Sequence, residues 1–215
     1  MFLAAPSSGL AQAASVPAPA YNPPDAATSE TAILSGGCFW GVQGVYEHVK
    51  GVTQAVAGYT GGAASTAQYE TVSTGTTGHA ESVQITFNPQ IISYGQILQI
   101  YFAVTADPTE LDYQGPDQGT QYRGMIWAET PMQKQIATRY IAQLSAAHSF
   151  PAPIVTQVAA AMPFYQAEAY HQDFLVRHPD YPYIAYNDIP KIKALQTQFP
   201  ALYLAQPVTV LKGQP

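Results

Sequence analysis

Cys38, the only cysteine in the sequence, sits in the stretch SGGCFWG at residues 35 to 41. After it, Val42, Val45, Tyr46 and Val49 recur at helical spacing up to Gly51. A short apolar run, a glycine pair and then this period predict strand, tight turn and helix, with Cys38 at the helix N-terminus. Unpaired backbone N–H groups and the positive end of the macrodipole favour thiolate there, so the thiol pKa is expected to fall and the sulfur to be nucleophilic. The alternative is a small buried apolar residue. Phe39 and Trp40 either join the core or make a dry wall beside the sulfur, suited to a small alkyl group.

Other groups could join such a sulfur. His79 and His171 raise a Cys-His hydrolase reading, in which an imidazole activates the thiol for attack on an amide or ester. A structural hydrogen bond competes for His171, which falls in a predicted helix beside Tyr170 and Gln172. His48, His148 and His178 form no cluster with metal spacing, and neither a metal nor a bound cofactor is expected.

The elements that must position these groups follow from periodicity and punctuation. Thr31 to Leu34, Val52 to Tyr59, Ser82 to Phe87, Tyr122 to Ala128 and Ile154 to Ala160 read as strands. Helices are expected from Cys38 to about Val49, from Ser93 to Val104 behind a serine cap, from Pro131 to about Ala147, and from Phe164 to Val176. Beyond Tyr181 the chain reads as ordered coil with a helical patch at Ile192 to Gln198. Strands and helices interleave through one core, as the length of 215 residues also suggests.

Lys and Arg total 8 against 14 Asp and Glu, a net charge of −6. Without a basic stripe, nucleic-acid and anionic-membrane partners are not expected. A lone cysteine rules out a disulfide within this sequence and any cysteine-based zinc cage. No apolar run reaches the roughly 18 residues that span a bilayer. Residues 1 to 30, rich in Ala, Ser and Pro, read as leader and tether, 31 to 203 as the catalytic domain and 204 to 215 as a tail. Ala11-Gln12-Ala13 fits a signal-cleavage pattern, although the basic n-region is missing. The expectation is either an exported, periplasmic protein cut near Ala14 or a cytoplasmic one with a disordered tail.

Five blocks in order then carry a resemblance: GCFWG at 37 to 41, GYTGG at 58 to 62, GHAE at 78 to 81, DQGTQYR at 117 to 123 and YHQ at 170 to 172. From about Thr31 to Tyr203 the sequence resembles the peptide methionine sulfoxide reductase A family. The resemblance implies an α+β fold, a mixed β-sheet core with packed helices in a ferredoxin-like two-layer sandwich, and a long C-terminal coil. It implies reduction of the S-epimer of methionine sulfoxide, free or in oxidised proteins, by a cysteine that becomes a sulfenic acid.

Carried over block by block, Cys38 matches the nucleophile, and Phe39 and Trp40 match the aromatic pair around the S-methyl group. Glu81 matches the acid that protonates the sulfoxide oxygen, a role that needs a carboxyl kept neutral by burial. On its own, Glu81 reads rather as a solvated residue at a strand start, with Ala80 and the apolar strand after it allowing partial burial. Tyr69 and Tyr122 match the two phenols that bond that oxygen or neighbouring water without carrying charge, and Asp117, otherwise a turn residue, matches an acidic residue that orients the substrate backbone or the site's hydrogen bonds. Many relatives have further C-terminal cysteines; here that section reads YPYIAYNDIPKIKALQTQFPALY, as in one-cysteine relatives. An external thiol must then close the cycle, whether thioredoxin, glutaredoxin, glutathione or another dithiol. A monomer is expected, and a non-catalytic binder of oxidised methionine remains a further alternative.

Overall fold

A computed structural model describes residues 16 to 211. Six strands form one sheet in the order β7-β6-β1-β3-β2-β8. They are β1 (Glu30–Ser35), β2 (Val52–Thr60), β3 (Ala80–Phe87), β6 (Met125–Ala128), β7 (Gln157–Ala160) and β8 (Phe164–Gln166), while β4 (Tyr113–Gln114) and β5 (Asp117–Gln118) make a separate hairpin. All neighbouring pairs in the sheet are antiparallel except β6 with β7. With α1 (Phe39–Glu47) between β1 and β2, and α3 (Tyr94–Ile100) between β3 and β6, the four central strands have β-α-β-β-α-β connectivity and the order β6-β1-β3-β2.

Alternation in β3 explains why the site can be deep. Val83, Ile85 and Phe87 point with period 2 into the main core beneath the helices. Glu81 shares that face and is buried with them. The opposite face carries a smaller cluster of Ile33, Ala80, Met125 and Trp127.

Most expected elements are present, including α4 (Pro131–Ala146), capped by Thr130. Others differ. The helix expected from Ser93 is α3 with a capping box, but from Tyr101 to Thr105 it widens into a π-helical turn. The strand expected from Tyr122 begins at Met125, and that expected from Ile154 begins at Gln157. No helix spans Phe164 to Val176. Phe164–Gln166 pairs with β2 as β8, Ala169–His171 is a 3-10 turn, and only Phe174–Arg177 is helical, as α5.

Pairing with β2 overrides the local period, because the Gln172 side chain both accepts from Ala57 N–H (3.0 Å) and donates to Ala57 C=O (2.9 Å), as a strand neighbour would. Asp173 then adopts φ +55, which stops any continuous helix. The C-terminal section is more helical than expected: a π-helical turn at Ile184–Asp188 leads directly into α6 (Ile189–Gln198).

Of the leader, Ala11-Gln12-Ala13 lies outside the described residues. Residues 16 to 29 lie along α3 and α4. The Tyr140 hydroxyl donates to Pro17 C=O (2.7 Å), Gln143 Nε2 to Ala18 C=O (2.9 Å) and Asn22 Nδ2 to Ser93 Oγ (2.7 Å). These bonds come from partners more than 70 residues away, so local composition holds no sign of them. No helix among the described residues is long and apolar enough to cross a membrane.

Candidate active site

Gly37 adopts φ +87, and a Cβ there would lie 2.8 Å from Gln114 Cβ. Only glycine allows both the turn and the contact, which carries the chain from β1 into α1 and leaves Cys38 as the N-cap residue. Gly37 N–H donates to Tyr122 C=O at 3.1 Å, tying the cysteine turn to the segment that carries Tyr122. Cys38 is 8% exposed and its sulfur is free.

Glu81 enters from β3 below. It is 3% exposed, and its Oε2 accepts the Phe39 N–H at 2.9 Å, so the first free donor of α1 is spent on a carboxyl rather than on the sulfur. Burial pushes the Glu81 pKa up to about 8; the Phe39 N–H opposes this and the charge of Asp117 adds to it. At neutral pH the group is a buried acid holding its proton.

The thiol departs from expectation. Burial, then the carboxyls of Glu81 and Asp188, raise the Cys38 pKa well above its ordinary value, while the Trp40 N–H lowers it and Asp117 raises it. Helix-end stabilisation is present but outweighed, since desolvation penalises the thiolate more than one N–H and a partial dipole charge favour it. The resting site holds two protonated acids, a thiol and a carboxyl.

A cavity of 160 Å³ is lined by Cys38, Phe39, Trp40, Tyr69, Glu81, Asp117, Tyr122 and Tyr183. Seven of these eight are the residues singled out from sequence, drawn from α1, β3, β5, α2 (Tyr69–Val72) and a 3-10 turn at Thr120–Tyr122. Tyr69 is held through its backbone N–H, which donates to Glu168 Oε1 at 2.9 Å, and its side chain lines the cavity. Trp40 stacks on Phe174, with centroids 3.9 Å apart and planes at 10°, and its indole N–H donates to His171 Nδ1 at 3.1 Å. Phe39 is buried against Tyr59 and His171, so it is core and cavity wall at once.

Tyr183 was not singled out from sequence. Its hydroxyl donates to Asp117 Oδ2. Fifteen tyrosines made it indistinguishable by type, and only the fold brings the segment after Tyr181 back to the cysteine.

Neither histidine of the hydrolase reading can serve as a base to the thiol. His79 accepts from Gly62 N–H through Nδ1 (3.1 Å) and reaches Ala63 C=O through Nε2 (3.0 Å). His171 is occupied by Trp40, and its burial lowers its pKa, which keeps it neutral. Among the described residues no group of three or more His, Cys, Asp or Glu is placed to hold a metal ion.

Comparison with known proteins agrees with this geometry. A family model described as peptide methionine sulfoxide reductase matches residues 30 to 202. Peptide methionine sulfoxide reductase MsrA 2 of Mesorhizobium japonicum is 62% identical over 185 residues, which is 86% of this chain and 95% of that protein. The MsrA of Thermus thermophilus is 42% identical over 173 residues, 80% of this chain and 97% of its own. Among solved structures, reduced Mxr1 of Saccharomyces cerevisiae superimposes with a TM-score of 0.63 at 29% identity, covering 74% of this chain and 91% of that one. Methionine sulfoxide reductase A of Corynebacterium diphtheriae gives 0.60 at 31% identity, covering 71% and 76%. The chain belongs to the peptide methionine sulfoxide reductase A family.

Proposed function

We propose that Cys38 performs the thiol-dependent reduction of the S-epimer of methionine sulfoxide to methionine, as a peptide-methionine (S)-S-oxide reductase. The observation that carries the reading is the sharing of one 160 Å³ cavity by the sulfur, a buried carboxyl and two phenols. That volume is ample for a CH3–S(=O)–CH2 group. Trp40, fixed by Phe174 and His171, supplies the dry face for the S-methyl group, with Phe39 behind it.

The Cys38 sulfur attacks the sulfoxide sulfur while neutral Glu81 gives its proton to the developing oxyanion, with Tyr69 and Tyr122 donating to the same oxygen. The hydroxyl passes to the Cys38 sulfur and methionine leaves. The proton lost by the thiol restores Glu81, so thiol plus sulfoxide become sulfenic acid plus methionine with no net proton change. A carboxyl with a pKa of about 8 is neutral in the resting enzyme and fit to act as the donor. The Tyr183 hydroxyl donates to Asp117 Oδ2, and in this reading the other carboxyl oxygen accepts the substrate's backbone N–H.

With one cysteine in the sequence, the sulfenic acid is returned to thiol by an external reductant, of thioredoxin, glutaredoxin, glutathione or other dithiol type. Substrates are free methionine sulfoxide and oxidised proteins, and the enzyme works without a bound cofactor. Epimer-resolved assays with dithiothreitol test the reading. The wild-type protein should release methionine from the S-epimer over many turnovers and, without thiol, stop near one per chain, with Cys38 carrying one added oxygen by mass. Cys38→Ser should release none; measurable turnover by that variant would remove Cys38 as nucleophile.

A further inference from the structure

A second, larger cavity of 640 Å³ also reaches Cys38. It shares with the sulfoxide cavity only Cys38, Asp117 and Tyr183. The hydrogen bond between Tyr183 and Asp117 therefore stands in their common wall. On the far side of that wall the lining is apolar, from Phe102, Ala103, Pro108, Phe150 and Pro151, and the charged groups are Asp107, Glu110 and Lys191. Both π-helical turns among the described residues contribute to it, through Phe102 to Thr105 and through Asn187. Such widened turns often mark functional positions.

We propose that this cavity is the path by which a low-molecular-weight thiol without net negative charge reaches the oxidised Cys38. The proposal rests on the reductase reading above and concerns only its second half. Displacement at sulfur is collinear, so the attacking thiolate must come from the side opposite the departing oxygen. That oxygen is left in the small cavity, among Glu81, Tyr69 and Tyr122. The other side of the partition is the larger cavity.

The step balances. The incoming thiolate forms an S–S bond to Cys38 as its S–O bond breaks, and the hydroxide takes the Glu81 proton and leaves as water. The proton given up by the first thiol replaces it on Glu81. A second thiol attacks the small-thiol sulfur, yielding the small disulfide and the Cys38 thiol.

Size and charge indicate the occupant. The sulfur of a cysteine only 8% exposed must be met by a nucleophile on a slender stem. Lys191 is already paired with Asp188 at 3.1 Å, so Asp107, Glu110 and Asp117 leave the cavity net negative. That field favours cationic or neutral thiols and repels anionic ones.

The test separates the two half-reactions. One equivalent of sulfoxide without thiol gives a methionine burst, which reports the reductase chemistry alone and serves as reference for each variant. Decay of the sulfenic acid is then followed with cysteamine, 2-mercaptoethanol and 2-mercaptoethanesulfonate, compared at equal thiolate concentration. The wild-type rates should fall in that order, by about tenfold from first to last. Pro151→Trp, at the exposed rim, should slow the decay with all three relative to the burst, and Glu110→Lys should reverse the charge preference.

Decay unchanged by both variants would overturn the proposal, as would reduction by a protein dithiol alone. A rim variant that weakens peptide sulfoxide in the burst and spares the thiol step would assign the cavity to the substrate chain instead. No burst from the wild-type protein would overturn the reductase reading itself.

Discussion

Helix α1 has a buried glutamate at each end, and the two are not alike. At the N-terminus Glu81 meets the Phe39 N–H, and its pKa rises only to about 8. At the C-terminus Glu47, fully buried, accepts no N–H or hydroxyl, and its hydrogen-bonding neighbour is the Asp173 carboxyl. Burial and the neighbouring Asp173 carboxyl hold its pKa well above the ordinary range. Both glutamates are desolvated; a backbone donor at the positive end of the helix lowers Glu81, whereas a second carboxyl at the other end raises Glu47 further. The stretch His171-Gln172-Asp173 touches both ends: His171 holds Trp40 beside the cavity, and Asp173 accepts the N–H groups of Val210 and Leu211 beside Glu47.

The largest test of this contrast is Glu81→Gln. The amide keeps shape and the Phe39 bond but cannot protonate the sulfoxide oxygen, so single-turnover methionine formation should slow by about 10²–10³-fold. Glu81 must be neutral to act, so the wild-type rate should decline as pH rises through about 8, the range where the carboxyl loses its proton. The variant should lack that break. A variant as fast as wild type in rapid-quench measurement, or one keeping the same alkaline decline, would take Glu81 out of the acid role.

A smaller effect is expected at the bridging stretch. His171→Phe removes the acceptor for the Trp40 indole N–H and leaves that donor buried, which should loosen the methyl-binding wall. KM should rise about tenfold with kcat changed less, because the ring position affects binding more than proton transfer. His171→Gln, which retains an acceptor, should recover part of the loss. A fall in kcat alone would show that Trp40 orientation is not what His171 secures.

The sequence revealed these regions unequally, and the reason is range. Glu81 is flanked by Ala80 and followed by the alternating Val83, Ile85 and Phe87, so partial burial is legible there, although the residue type alone points to solvent. The turn before Cys38 and the helix after it were equally local, and both are found. The thiol pKa went the other way because burial, and after it the carboxyls of Glu81, Asp188 and Asp117, come to bear on Cys38 only in the fold. Tyr183 and the pairing of Gln172 with Ala57 are likewise long-range contacts without a local period. Residues 16 to 29 were read as a tether for the same reason, their partners Tyr140 and Gln143 lying on α4.

The least disruptive change should be at the other end of α1, where Glu47→Gln replaces a proton-holding carboxyl with a neutral amide. Activity should stay within about twofold, since nothing in the cavity contacts this residue. Stability should respond with a definite sign. The unfolded carboxyl ionises near 4.5 while the folded one keeps its proton far above that, so the native state binds more protons and stability falls as pH rises beyond 4.5. The amide removes this loss, so the variant should gain on wild type by at most about 1.4 kcal/mol per pH unit above that point. Glu81 gives a similar slope that ends near 8 in both proteins, so their difference isolates Glu47. Thermal unfolding from pH 5 to 9 would show the gap widening; a constant gap, or a variant less stable than wild type at pH 8, would mean that Glu47 is held ionised by a donor and that the two ends of α1 are more alike than the geometry indicates.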